Sequence, residues 1–374
     1  MRHEDHEANK GEELPLNASP VMSHNEWDPL EEVIVGVLEG ASYLPWHISL
    51  EACMHAEYAY EVEEHHKALG GRKRSAEQTR VVQTQLDEFL HILEQEGVTI
   101  THPDPVDNAR RYATMDWESA GGNAQSNPRD VLLVIGDEII EAPMSWRSRF
   151  FEANPYRRLL KDYFHRGARW TAAPKPQLTD ELYNANWKRG GFSYVTTEFE
   201  PVFDAADVAR FGRDLIVQRS QVTNEFGAQW LQRHIGDEYR VHLVEFDDDD
   251  ALHIDTTFVP LCPGKMLVNP DRPIKKLPKI FENSDWELLT PPRTTLPTNY
   301  PAYHAYEWYH LNLLMLDEER VIVEREEEPL INALKGWGFK PILCSFREAA
   351  KFYAGSFHCF TLDVRRRGVL QSYF

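Results

Sequence analysis

The chain is poor in the features that announce common functions. It has four cysteines in 374 residues (Cys53, Cys262, Cys344 and Cys359), too few and too scattered for a disulfide framework, and none in a CxxC zinc spacing. No run of about 18 apolar residues occurs, and the opening residues Met1 to Glu7 are charged where a leader peptide is apolar. These absences place the chain in the cytoplasm, with reduced thiols and no membrane partner. Basic residues are also in deficit: 40 Lys and Arg against 60 Asp and Glu give a net charge of −20, which argues against nucleic acid and suits a cationic small molecule. A glycine-rich phosphate loop, an HExxH and a GxSxG are all missing, so nucleotide-driven chemistry and serine hydrolysis have no support.

What is present reads as a globular α/β chain. Residues 1 to about 22 are polar and are expected to form a disordered arm, with one domain over 23–374. Val81, Val82, Leu86, Phe89, Leu90 and Leu93 recur at helical spacing between Ser75 and Glu96, and Gly97 closes that helix. Apolar runs on either side of Gly136-Asp137 predict a hairpin, and Arg147 to Arg166 predicts a helix ended by Gly167. Helices are also expected near Glu225–Ile235 and Glu327–Lys335. Five segments share a turn followed by a buried strand: Glu32–Val35, Asp130–Val134, Gly212–Val217, Gly264–Val268 and Glu319–Val323. Their spacing is uneven, so they make a weak repeat of an αβ unit.

Near the C-terminus, Gly355-Ser356-Phe357-His358-Cys359 leads into an alternating run and three arginines, Arg365 to Arg367. A cysteine in a short apolar strand is more often a buried small hydrophobe than a nucleophile. The small-residue turn before Cys359, with histidine and arginines nearby, favours a thiolate. On a strand His358 and Cys359 point to opposite faces, so a base must come from elsewhere. His253-Ile254-Asp255 offers one: read as a strand, it places an imidazole and a carboxylate on one face, equally well an exposed edge. A metal there would need a third ligand. Asp204 is a candidate acid and also a good helix N-cap. Asp116 lies between Met115 and Trp117, as a functional acid or a turn residue. Arg272 follows a strand and suits a carboxylate, or else sits on a surface turn. Asp247 to Asp250 read as a solvated loop, or as a screen for a cationic ligand.

Together these stretches resemble the arginine amidinotransferases, the family of glycine amidinotransferase and inosamine-phosphate amidinotransferase. The resemblance runs from Asn25 to Phe374 and is carried by Glu200–Asp207, Gln218–Asn224, His253–Asp255, Asn269–Arg272 and Phe357–Gly368. It implies a five-bladed α/β propeller with pseudo-fivefold symmetry, a homodimer, and no cofactor or metal. It further implies Cys359 as the nucleophile carrying an amidino group, His253 as acid and base, and Asp204 as its partner. Asp116 and Asp255 would hold the guanidinium of L-arginine, and Arg272 a carboxylate. Departures fall on Asp250 and Leu252, where glycine amidinotransferases place Asn and Met, and on Ala305-Tyr306, near their paired serines. These positions line the implied site. Glycine is the leading acceptor, giving guanidinoacetate and ornithine. A larger amine of toxin or antibiotic biosynthesis is the alternative, since the C-terminal half is also similar to amidinotransferases of cyanobacterial toxin pathways. A guanidine hydrolase of the arginine deiminase type and a silent arginine-binding protein stay open.

Overall fold

The computed structural model describes residues 19–56, 59–191, 193–282, 284–297 and 308–374. Its fold is α/β, and five small sheets repeat one plan in which a middle strand pairs antiparallel on one side and parallel on the other. Leu30–Val35 lies between Thr361–Arg366 and Thr99–Thr101. Glu138–Glu141 lies between Leu132–Ile135 and Arg169–Ala172. Asp214–Gln218 lies between Val208–Phe211 and Arg240–Phe246, with Ile274–Lys276 added outside. Lys265–Val268 lies between Phe258–Cys262 and Glu287–Leu289, and Arg320–Glu324 between Leu314–Met315 and Lys340–Cys344.

A parallel neighbour requires a crossover. Helices Ala76–Gln95, Arg157–His165, Glu225–Ile235 and Glu328–Gly336 supply four of the five. Four of the five expected turn-and-strand segments are the middle strands. The other, at Asp130–Val134, is instead a helical turn and an antiparallel edge strand, because a second apolar run after Gly136 takes the middle place.

The antiparallel edge strands face inward. Every residue of Leu132–Ile135, Val208–Phe211 and Thr361–Arg366 is buried, whereas the parallel edges carry exposed residues. Near-continuous apolar runs are what strands covered on both faces require. The last inner strand instead buries charge, and it does so in pairs. Asp363 accepts from Arg129, Arg210 and Arg366, and Glu26 accepts from Arg210 Nε and Nη2 at 2.8 Å each. Arg365 and Arg367 pair with Glu31 at 2.9 and 3.5 Å, so all three C-terminal arginines meet an acid at this strand.

Two boundaries differ from expectation. Val21 is fully buried and Met22 N donates to Val364 O at 3.0 Å, so both belong to the fold and not to the polar arm; an apolar pair among polar residues had a strand to join. The helix expected from Arg147 to Arg166 is instead two 3-10 turns, Arg147–Arg149 and Asn154–Tyr156, followed by an α-helix at Arg157–His165. Pro155, without an N–H, fits the start of the second turn, which leads straight into the α-helix. The Ala76–Gln95 helix is as expected, capped by Ser75 and followed by Gly97 at φ +79°. No helix among the described residues is long and apolar enough to cross a membrane.

Candidate active site

Each inner strand is entered through a loop, and each loop delivers a polar side chain to one place. Asp130 precedes Leu132–Ile135, Asp204 precedes Val208–Phe211, and His253 and Asp255 precede Phe258–Cys262. Asn312 precedes Leu314–Met315, and Cys359 precedes Thr361–Arg366. All but Asp204 line a cavity of about 100 Å³, and Asp204 lies directly behind His253 with no exposure.

The segment around His253 is not the strand that alternation suggests. His253 has φ +54°, and Ile254–Thr256 form a 3-10 turn. A left-handed backbone at a non-glycine residue costs free energy and persists where its surroundings hold it. Here it separates two side chains that a strand would keep parallel. His253 Nε2 lies 3.1 Å from Asp204 Oδ2, and Nδ1 lies 3.6 Å from Asp130 Oδ1. Asp255 turns the other way, its Oδ2 accepting from Asn312 Nδ2 and His358 Nδ1, both at 2.8 Å, and from Cys359 Sγ at 3.2 Å.

Cys359 likewise sits in a turn ahead of its strand. Asn312 Oδ1 accepts from the main-chain N–H groups of Ser356 and Cys359, each at 3.0 Å, while its Nδ2 lies 3.1 Å from the sulfur. The turn needs Gly355, since a Cβ there would meet Asn127 Nδ2 and Cys359 Cβ at 2.8 Å. The reactive atoms of Asp130, His253 and Cys359 all lie within 4.8 Å of one another.

Charge sets the protonation states. Burial opposes a charged His253, but Asp130 and then Asp204 outweigh it and raise its pKa to about 10, so the ring is an imidazolium at neutral pH. Burial, then Asp255 and Asp130, push the Cys359 thiol well up. Asp255 is held low: burial works against its charge, and the hydrogen bond from His358 overcomes it. One oxygen each of Asp130 and Asp255, the Oδ1 atoms, is buried with no hydrogen-bond partner among the described residues. Two such oxygens in the wall of the cavity, beside a thiol, suit a ligand that donates N–H groups.

Sequence comparison decides what reaction such a site serves. The L-arginine:L-lysine amidinotransferase of Pseudomonas savastanoi pv. phaseolicola is 48% identical to this chain over 362 residues, covering 96% of this chain and 98% of that protein. The chain belongs to the amidinotransferase family. The mitochondrial glycine amidinotransferase of Danio rerio is 44% identical, over 95% of this chain and 85% of its own length. Among solved structures, SxtG, an amidinotransferase from Microseira wollei in the saxitoxin biosynthetic pathway, superposes with a TM-score of 0.91 at 51% identity, covering 95% of this chain and all of that one. No family model matches the chain. This protein is therefore an enzyme of amidino transfer.

Within this amidinotransferase, Cys359, His253, Asp204, Asp255, Arg272, Asp250 and Leu252 come together, and all but Asp204 line the cavity. Asp116 does not. It is exposed in a turn, its N–H bound to Thr114 Oγ1 at 3.2 Å, and it is absent from the cavity wall; Asp130 stands where it was expected. Asn127-Pro128-Arg129-Asp130 reads locally as a turn. The overlooked signal is an acid shortly before a buried strand, the position Asp204 and Asp255 also hold. Ala305 and Tyr306 lie outside the described residues.

Arg272 is buried, with Nε 2.8 Å from Asp248 Oδ2 and Nη1 bound to Thr256 and Thr257. The acidic run is thus partly internal and not a solvated loop. Gln221 Nε2 binds Asp249 O at 2.7 Å, and Asp250 has a pKa raised to about 7 by burial and by Asp248. Sequence reasoning also missed Arg149, which donates to Asp130 Oδ2 at 2.9 Å, grips Glu152 through two nitrogens, and lies 3.7 Å from Asp204 Oδ2. Trp146 Nε1 donates to the same Asp204 oxygen at 2.9 Å.

Proposed function

We propose that the enzyme takes the amidino group of L-arginine onto Cys359 and passes it to a primary amine. A guanidinium is planar, cationic and resonance-stabilised, so its carbon accepts a nucleophile only when the cation is held and polarised. Asp130 and Asp255 are placed to accept its N–H groups. The arriving cation offsets the negative field that keeps the proton on Cys359, so substrate binding favours release of that proton to solvent, His253 being protonated already. The thiolate adds to the central carbon. His253, already an imidazolium, donates its proton to the departing nitrogen, the C–N bond breaks, and ornithine leaves an amidino-cysteine. The acceptor amine then attacks the same carbon, neutral His253 takes its proton, and the C–S bond breaks to return the thiolate. This order is ping-pong.

The observation that carries the reading is the pair of carboxylate oxygens, without a partner among the described residues, beside Cys359 and an imidazolium. Incubation with arginine alone tests it. One equivalent of ornithine and an amidino mass on the peptide bearing Cys359 are expected; continued citrulline release without an amine would favour a guanidine hydrolase, and a silent binding protein would give neither product.

Glycine is one acceptor class, because Arg272 in the cavity wall suits a carboxylate. A longer amine is the other, favoured by the apolar side of the cavity at Leu44, Leu50, Met54, Val62 and Leu252. An amine screen with arginine as donor, read by product mass, separates them.

The same proposal covers architecture and setting. Five sheets with one strand plan and inward antiparallel edges support a single-domain, five-bladed α/β propeller with pseudo-fivefold symmetry. The family likeness supports a homodimer acting without a cofactor, which light scattering tests; a cytoplasmic setting is part of the same proposal, and cell fractionation tests it.

A further inference from the structure

His358 adjoins Cys359 in sequence, yet the two side chains part. Cys359 lines the substrate cavity, whereas His358 borders a second cavity of about 20 Å³ together with Glu26 and Asp255. Asp255 is the ionisable side chain common to both. His358 Nδ1 lies 2.8 Å from Asp255 Oδ2, and Nε2 lies 3.4 Å from Glu26 Oε2. Carboxylates only accept, so a ring with a proton on each nitrogen satisfies both.

The ring is held from behind. Glu26 is gripped by Arg210 and approached by Arg129 Nη1 at 3.4 Å, and Arg129 Nε also binds the main-chain oxygen of His358 at 3.1 Å. Both arginines continue to Asp363. A rigid ionic core therefore presents one imidazole edge to Asp255. On that carboxylate, Oδ2 takes donors from Asn312, His358 and Cys359, while Oδ1 takes none among the described residues. Donors that saturate one oxygen fix the carboxylate plane and reserve the other for the substrate cation.

We infer that His358 is a positioning residue for amidino transfer: it fixes the orientation of Asp255 and sets the charge that Asp255 presents to Cys359. The inference rests on the roles proposed above for Cys359 and Asp255. The charged groups facing His358 are Asp255 and Glu26, the latter shared with Arg210 and Arg129. Those facing Cys359 are Asp255, Asp130 and His253. A cation against Asp255 offsets the field that holds the proton on the thiol; a neutral replacement leaves that field whole.

The test uses the full chain carrying His358→Ala or His358→Asn, with ornithine formation from arginine as one readout. The other is the pH dependence of Cys359 alkylation by iodoacetamide without arginine. His358→Ala is expected to lower kcat/KM for arginine by about 10- to 100-fold, the loss of one charge-assisted hydrogen bond. In both variants alkylation moves to higher pH. Asn can still donate to Asp255, so His358→Asn recovers much of the arginine KM while its alkylation profile stays displaced. Wild-type kcat/KM with a wild-type alkylation profile would overturn the inference. So would lost activity with an unmoved profile, the mark of a merely structural histidine. If the alanine variant does not fold, the asparagine variant carries both readouts. Failure of the wild-type protein to release ornithine would sink the proposed function instead, and alkylation would still test His358.

Discussion

Asp204 and His253 meet at 3.1 Å with Asp204 wholly shielded from solvent, so the imidazole is held by a carboxylate that does not line the cavity. Asp204→Asn keeps the shape and removes the charge. Turnover is expected to fall by about 10²-fold or more, and the basic limb of the kcat/KM profile to move to lower pH as the His253 pKa falls. A pH–rate series on wild type and variant checks both.

The same histidine links stability to pH. Its folded pKa, about 10, lies above its ordinary 6.5, so the native state binds this proton more tightly than the unfolded chain does. Its contribution is complete below about pH 6.5 and is lost as pH rises toward 10. Melting temperatures across that window should fall more steeply for wild type than for His253→Gln, and parallel curves would remove the argument.

Asp130 and Asp116 separate the structure from local sequence. Asp130→Asn is expected to raise the arginine KM and lower kcat/KM by about 100-fold, since it removes a charged acceptor from the guanidinium. Asp116→Asn, exposed in its turn, should stay within about twofold of wild type. Steady-state kinetics on the two variants is sufficient.

Cys359→Ser preserves the turn held by Asn312 and deletes the nucleophile. Neither ornithine nor guanidino product is expected, with a melting temperature close to wild type. Residual transfer at the wild-type rate would exclude Cys359 as the carrier.

Arg272→Ala removes the proposed carboxylate partner and strands Asp248 in a buried place. A raised arginine KM is expected together with a loss of roughly 3 kcal/mol in denaturant stability. The double variant Arg272→Ala with Asp248→Asn should recover stability but not KM, because only the fold needs the pair balanced.

Local elements were the legible part of this sequence. The Gly136-Asp137 hairpin and the Ser75-capped helix follow from residues a few positions apart, and the structure has both. Resemblance supplied Cys359, His253 and Asp204, which the fold brings together. It put Asp116 where the structure has Asp130 in the cavity wall, because the two differ in their distance from an inner strand, a property of sheet packing. The positive φ of His253 was hidden too, since alternation there imitates a strand. Arg149 and Asn312 had no motif, and their roles exist only where segments far apart in the chain converge.

Asp130, Asp204, Asp255, Asn312 and Cys359 come from five loops that enter five different sheets. No fragment of the chain contains the chemistry, and no sheet can detach without taking one member away. Catalysis therefore acts as a coincidence detector for folding. A protein that has opened one sheet retains most of its secondary structure, yet it should already be silent, so activity is expected to vanish ahead of the circular dichroism signal in a denaturant series.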